Sequence, residues 1–278
     1  MSLLAIDVGN THTVLGVYDG ARLERHWRVE TAAARTVDEH AVLLRNLLGD
    51  PALAGLDGAA MSCVVPALTD TFRVFCRRFL ALELLVVGPG VKTGMPILYE
   101  TPHTLGSDRL VNAVAAYART QAATIVVDFG TATKLEYVTP AGEYLGGVIC
   151  PGVRIASQAL FRGAARLYDV ELTRPPSVIG RTTAHAIQSG IFFGHVAIVD
   201  GLVRRIEREQ AVRARVIATG GLSTVLGPES ATIEEVDEFL TLDGLRIIHE
   251  RNSRGGPGRP RLDDERHPAG GRQGASDA

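Results

Sequence analysis

At 278 residues, 46% hydrophobic and 22% charged, the chain is long enough for one large domain or two ordinary ones, with the balance of a folded, core-building protein. A formal net charge of −2 argues against a nucleic-acid-coating role, which needs a basic face. Lysine occurs only at Lys92 and Lys134, preceded by Val91 and Thr133, so a Walker-type phosphate loop with its Gly-Lys-[Ser/Thr] frame is excluded.

The first element is an apolar strand, Leu3-Leu4-Ala5-Ile6, closed by Asp7-Val8-Gly9-Asn10-Thr11 and returning toward a second turn at Tyr18-Asp19-Gly20. No basic segment precedes it, so no secretory leader is expected. Val37–Leu48 carries apolar residues at helical spacing. The apolar stretch Phe79–Val87 is interrupted by Glu83, and no run reaches the roughly eighteen residues of a membrane span. Ser107–Arg119 reads as a helix with Ser107 in the N-cap position and Val111, Val114 and Ala115 inward. Thr124–Thr133 then repeats the opening outline: an apolar strand, Asp128-Phe129-Gly130, hydroxylated residues, and a return to a glycine turn at Ala141-Gly142-Glu143. Thr183–Glu207 places Ile187, Ile191, Ile198, Leu202 and Ile206 on one helical face, and Arg215–Thr219 is a buried strand ending at Gly220-Gly221. From 252 onward the chain is rich in Gly, Pro and Arg without an aromatic, and a disordered tail is expected over 252–278.

A unit repeated about 120 residues apart indicates duplication. The boundary falls near 115–123, giving an N-terminal unit 1–118 and a C-terminal unit 119–251 of α/β class. Each Asp-x-Gly turn sets a carboxylate beside free backbone N–H groups and hydroxyls, a combination suited to phosphate and its counter-cation. Taken singly, either turn is an ordinary glycine hairpin; two in a duplicated frame, with a third glycine turn at 219–221, suit a nucleotide clamped between two halves. Gly106-Ser107-Asp108-Arg109 is ordinary capping by itself, yet its carboxylate and guanidinium could also accept a hydroxyl proton and fork an anion. The helix N-terminus favours the charged carboxylate.

These segments, together with Pro89–Pro96, Tyr99, Gly142–Gly147, Pro151-Gly152, Gly180–Thr183, Gln188–Gly190 and Ala218–Gly221, resemble in order those of the type III pantothenate kinases. That family belongs to the ASKHA superfamily of acetate and sugar kinases, heat-shock chaperones and actin. The resemblance implies two ribonuclease H-like domains with a cleft between them, and ATP-dependent phosphorylation of pantothenate toward coenzyme A. It implies ATP contacts at Asp7, Val8, Gly9, Asn10, Thr11, His12, Thr13, Val14 and Thr131, with Asp7 near Mg²⁺–ATP. Asp108 would be the general base, with Tyr99, Gly106, Ser107, Asp108, Arg109 and Thr183 around pantothenate and Arg109 a natural partner for its carboxylate. Asp128 would hold a monovalent cation, K⁺ or NH₄⁺. The family works as a homodimer, and a cytoplasmic enzyme without nucleic-acid or membrane partners is expected.

The departures are Ser107 for the usual alanine, Lys134 for a second threonine, and Cys150 for alanine. Lys134 reads as a solvated charge facing outward, although facing inward it could add a phosphate contact. Cys63, Cys76 and Cys150 read as reduced, buried thiols. No paired-histidine metal motif or serine-hydrolase elbow is present. Two other readings keep the fold: a non-catalytic regulator, and a kinase acting on another hydroxylated substrate.

Overall fold

The computed structural model describes residues 1–49, 53–163 and 168–253. Strand β1 (Ser2–Val8) is almost wholly buried, and the hairpin at Gly9 returns it antiparallel as β2 (His12–Asp19), followed by β3 (Arg22–Glu30). Helix α1 (Val37–Leu48) starts at a capping box in which Thr36 and Glu39 satisfy each other's backbone N–H groups. It crosses to β4 (Gly58–Cys63), which runs parallel to β1; α2 (Pro66–Phe75) then leads to β5 (Leu84–Val86). The resulting order is β3-β2-β1-β4-β5.

Helix α3 (Ser107–Thr120) delivers the chain to β6 (Thr124–Phe129), β7 (Ala132–Val138) and β8 (Tyr144–Pro151). Helices α4 (Val153–Gly163) and α5 (Thr183–Glu209) precede β9 (Arg215–Thr219), and the short α6 (Ser223–Leu226) precedes β10 (Glu235–Val236). The second sheet reads β8-β7-β6-β9-β10, the same connectivity as the first, with β6 antiparallel to β7 and parallel to β9. The duplication inferred from the two Asp-x-Gly segments is thus a duplication of topology, and the fold is the α/β, ribonuclease H-like pair that the resemblance implies.

Apolar clusters hold these layers. Leu4, Ile6 and Val8 pack with Leu44, Leu68 and Phe72 on one side of the first sheet. Ile125, Val127 and Phe129 pack with Ile187, Phe192 and Val199 in the second half. Between the halves lie α3 and the last of the described helices, α7 (Leu240–Ser253), where Val111 and Val114 meet Leu242, Leu245 and Ile248. Gly244 lets the two backbones close: a Cβ there would sit 2.2 Å from the Val111 carbonyl oxygen. Chain order and packing part at this point. Helix α7 lies beyond residue 118, where the C-terminal unit was expected to begin, yet it packs on β1, β2 and β4 of the first sheet.

Asn252 and Ser253 still belong to α7, with Asn252 exchanging hydrogen bonds with the Lys92 backbone; the rest of the expected tail lies outside the described residues. Helix α5 is, by length and composition, long and apolar enough to cross a membrane, a property it shares with core helices of soluble folds. Here Ile187, Phe192, Val196 and Val203 are buried in the second core, and its Asp200 accepts hydrogen bonds from Ser230, Ala231 and Thr232. All three cysteines are free, but only Cys76 is fully buried, where burial pushes its thiol up to about 12; Cys63 and Cys150 are half-buried.

Candidate active site

The two Asp-x-Gly hairpins stand at equivalent ends of β1 and β6, and they meet. The Thr11 and Thr131 hydroxyls lie 3.1 Å apart across 120 residues of sequence. Gly9 closes its turn with an N–H bond to the His12 carbonyl, and Gly130 does the same to Ala132. Thr31 braces the first turn by donating to the Gly9 carbonyl. Gly152 packs directly on the second, since a Cβ there would fall 2.1 Å from the Thr131 carbonyl oxygen. Asn10, Thr11, His12 and Thr131 are exposed along this rim. Val8 and Val14, expected among the ATP contacts, turn their side chains into the first and third cores, and the buried Thr13 hydroxyl pairs with Thr31.

Three carboxylates converge behind the rim. Asp7 ends β1, Asp128 ends β6, and Asp108 sits in the first turn of α3. Burial pushes the Asp7 carboxyl up to about 7, with the charges of Asp108 and Asp128 adding to the rise and Lys134 opposing it. Asp7 Oδ1 is buried without a hydrogen-bond partner, which leaves an oxygen free to take a cation. Burial also raises Asp128, against the pull of Lys134. A glycine is needed beside two of these groups: a Cβ on Gly106 would lie 2.6 Å from Asp108 Oδ1, and one on Gly220 2.4 Å from Asp128 Oδ1. The third glycine turn, at Gly220, therefore walls the Asp128 carboxylate.

Lys134 corrects the sequence reading. Its side chain does not face solvent: Nζ lies 2.5 Å from Asp108 Oδ2 and 2.8 Å from Asp128 Oδ2. The cause is hairpin register, because Asp128 and Lys134 are directly paired across β6 and β7 and so project to the same face. Burial lowers its pKa, but the charges of Asp128 and Asp108 outweigh burial and hold the ammonium above the ordinary lysine value.

Ser107 is a second correction. Gly106 is the N-cap of α3, and the Ser107 side chain does not cap the helix. Its hydroxyl lies 3.0 Å from that of Ser62 and accepts from the Cys63 N–H, tying α3 to the end of β4 beside Asp7.

Arg109 is buried, and its Nε and Nη2 donate to Glu136 Oε1 and Oε2 at 2.7 and 2.8 Å. Tyr144 donates to the same Glu136, while Tyr99 stacks on the guanidinium at 5.6 Å and lies edge-on to Tyr144 at 6.1 Å. The bidentate edge of Arg109 thus faces a protein carboxylate. Sequence reasoning missed Glu136, Tyr144 and Ser62. Only the β6–β7 register carried a signal for one of them, since Glu136 pairs with Val126 two positions along the strand from Lys134.

Thr183 is not placed with this cluster. It is the first residue of α5, exposed, in a groove of about 490 Å³ between α4 and α5 that it lines with Ala156, Leu160 and Ile187. Among the described residues, no three His, Cys, Asp or Glu side chains are grouped so as to hold a metal ion by themselves.

Comparison with known proteins follows the same lines. A family model described as type III pantothenate kinase matches residues 3–205. A type III pantothenate kinase of Anaeromyxobacter sp. (strain K) is 54% identical over 255 residues, spanning 90% of this chain and 99% of the relative. That of Myxococcus xanthus is 52% identical over 252 residues, spanning 90% and 98%. Among solved structures, a Campylobacter jejuni protein assigned to the Baf family of transcriptional activators superposes with a TM-score of 0.57 at 17% identity, covering 90% of this chain and 99% of that one, a likeness of fold alone.

Proposed function

Because this chain belongs to the type III pantothenate kinase family, we infer that it transfers the γ-phosphoryl group of ATP to the primary hydroxyl of pantothenate, the first step toward coenzyme A. The observation that carries this reading is the joined pair of hydroxyl-bearing turns, Thr11 against Thr131, set over the carboxylates of Asp7, Asp108 and Asp128. Backbone N–H groups and hydroxyls of the turns receive the phosphates in place of a lysine loop. Asp108 accepts the hydroxyl proton as the oxygen forms its bond to phosphorus and the bond to ADP breaks. A loose transition state of this kind depends more on holding the hydroxyl in line than on strong basicity.

The unpartnered Asp7 Oδ1 fits a divalent cation, and we assign Asp7 to Mg²⁺–ATP. When bound, Mg²⁺ neutralises charge on the phosphate oxygens. The donor set at Asp128 does not fit a separate monovalent cation, since Lys134 stands on one oxygen and the Gly220 turn closes on the other.

Tyr99, Gly106, Ser107, Asp108 and Arg109 form our proposed pantothenate pocket. Glu136 holds Arg109 by Nε and Nη2, so a substrate carboxylate would be met by the remaining Nη1 edge. Thr183 joins the pocket in this reading through a homodimer. The segments from β8 to α5 leave Ile149, Ile155, Leu160 and Ile179 exposed, as a subunit interface requires. The free cysteines and the formal net charge of −2 suit a reducing cytoplasm and small-molecule partners better than nucleic acid. Incubation of the purified chain with ATP, Mg²⁺ and pantothenate should yield phosphopantothenate by mass spectrometry. No product under those conditions would refute the reading.

A further inference from the structure

We propose that the Lys134 ammonium is this protein's built-in monovalent cation, so that the reaction proceeds without added K⁺ or NH₄⁺. The proposal rests on the pantothenate kinase reading and concerns how its carboxylate cluster is neutralised. Asp108 and Asp128 arrive from different elements, the start of α3 and the end of β6, and both reach the same ammonium. Two carboxylates in that position need a cation between them. Lys134 Nζ occupies the place, 2.5 Å from Asp108 Oδ2 and 2.8 Å from Asp128 Oδ2, with all three side chains less than one-fifth exposed.

The site leaves a free ion little to bind. Asp128 Oδ2 is engaged by the ammonium. Beside Oδ1 the Gly220 turn approaches so closely that a single added carbon would lie 2.4 Å away, and a carbon added to Gly130 would lie 3.2 Å away. An ammonium tethered to β7 carries the same charge as K⁺ and directs N–H groups at both carboxylates, yet it does not dissociate. Because Asp128 and Lys134 are cross-strand partners, the hairpin register itself delivers the charge and no binding equilibrium is involved. Lys134 is therefore a positioning residue, holding Asp108 in place relative to the phosphate turns.

The test compares wild type with Lys134→Thr in potassium, ammonium and N-methylglucamine chlorides at matched ionic strength. Pantothenate phosphorylation and the thermal midpoint of the ligand-free protein are both measured. Wild-type turnover should be the same in all three salts, and its midpoint should not respond to K⁺. Removal of a preorganised charge typically costs about a hundredfold in turnover, so Lys134→Thr should lose about that much in N-methylglucamine and recover with K⁺ or NH₄⁺. Its midpoint should rise with K⁺, as linkage requires of an ion bound only by the folded state. Lys134→Ala is the substitute if the threonine variant does not fold. Wild-type activity that depends on K⁺, or a Lys134 variant equally active without it, overturns the proposal. A wild type inactive in every salt refutes the kinase reading instead, and the midpoint measurements then decide the cation question alone.

Discussion

Replacing Glu136 by alanine isolates the most deeply buried ion pair at the site. Its carboxylate is 1% exposed, the Arg109 side chain 9%, and two hydrogen bonds of 2.7 and 2.8 Å join them. The Coulomb attraction of such a pair is about 4 kcal/mol at an effective dielectric of about 20, and burial of both charges offsets much of it. Truncating one partner differs from removing both, because it leaves the guanidinium buried with its Nε and Nη2 unmatched. That loss amounts to about 3–5 kcal/mol, and the Tyr144 hydroxyl, which also donates to Glu136, loses its acceptor. For a chain of this length the thermal midpoint should fall by about 6–20 °C. Equilibrium urea unfolding of wild type, Glu136→Ala and the double variant Arg109→Met/Glu136→Leu would measure it. The double variant should recover most of the stability, since apolar side chains of similar volume leave no charge unpaired. The pantothenate KM of Glu136→Ala should rise, because Arg109 loses the partner that aims it. A Glu136→Ala cost below about 1 kcal/mol would refute the reasoning, since such a value belongs to solvent-exposed pairs.

Asp108→Asn should lower kcat by about 10²–10⁴-fold with the circular dichroism spectrum unchanged; near-normal turnover would remove Asp108 from the base role. Asp7 sets a pH dependence. With its pKa raised from 3.8 to about 7, the ligand-free folded state binds more protons than the unfolded chain between those values. Stability therefore falls as pH rises through that window, by up to about 1.4 kcal/mol per unit. Asp7→Asn should accordingly melt above wild type at pH near 8, with the gap closing toward pH 5, and a gap independent of pH would contradict the assignment. Gly220→Ala should destabilise by about 1–3 kcal/mol and lower kcat, because φ at this position is +91° and the new methyl would strike Asp128; unchanged unfolding and turnover would show that the turn tolerates a side chain.

Much of the fold was legible in the chain because its signals are local. Helix α1 spans the Val37–Leu48 run read from its periodicity, and α5 begins at Thr183 as expected. The two hairpins were legible for the same reason, since Asp-x-Gly followed by hydroxylated residues describes a turn within a few positions. Helix α7 was not read from the chain: it packs on β1, β2 and β4, strands far upstream, and nothing in its own sequence names them. Ser107 shows how a local rule can be outcompeted. A serine at a helix start normally caps, but Ser62 and Cys63 offer its hydroxyl partners from another element.

By itself, the sequence determined two matching β-hairpins ending in Asp and Gly, an α/β duplication, and the absence of a lysine-bearing phosphate loop, since short-range periodicity and glycine backbone freedom specify the first two and residue identity the third. Only the tertiary structure decided that Lys134 turns inward between Asp108 and Asp128, that Glu136 engages Arg109, and that Thr11 meets Thr131. Those contacts link residues from separate elements. A long side chain takes its direction from the charges that folding brings within reach, and two largely buried carboxylates hold an ammonium that solvent would otherwise keep.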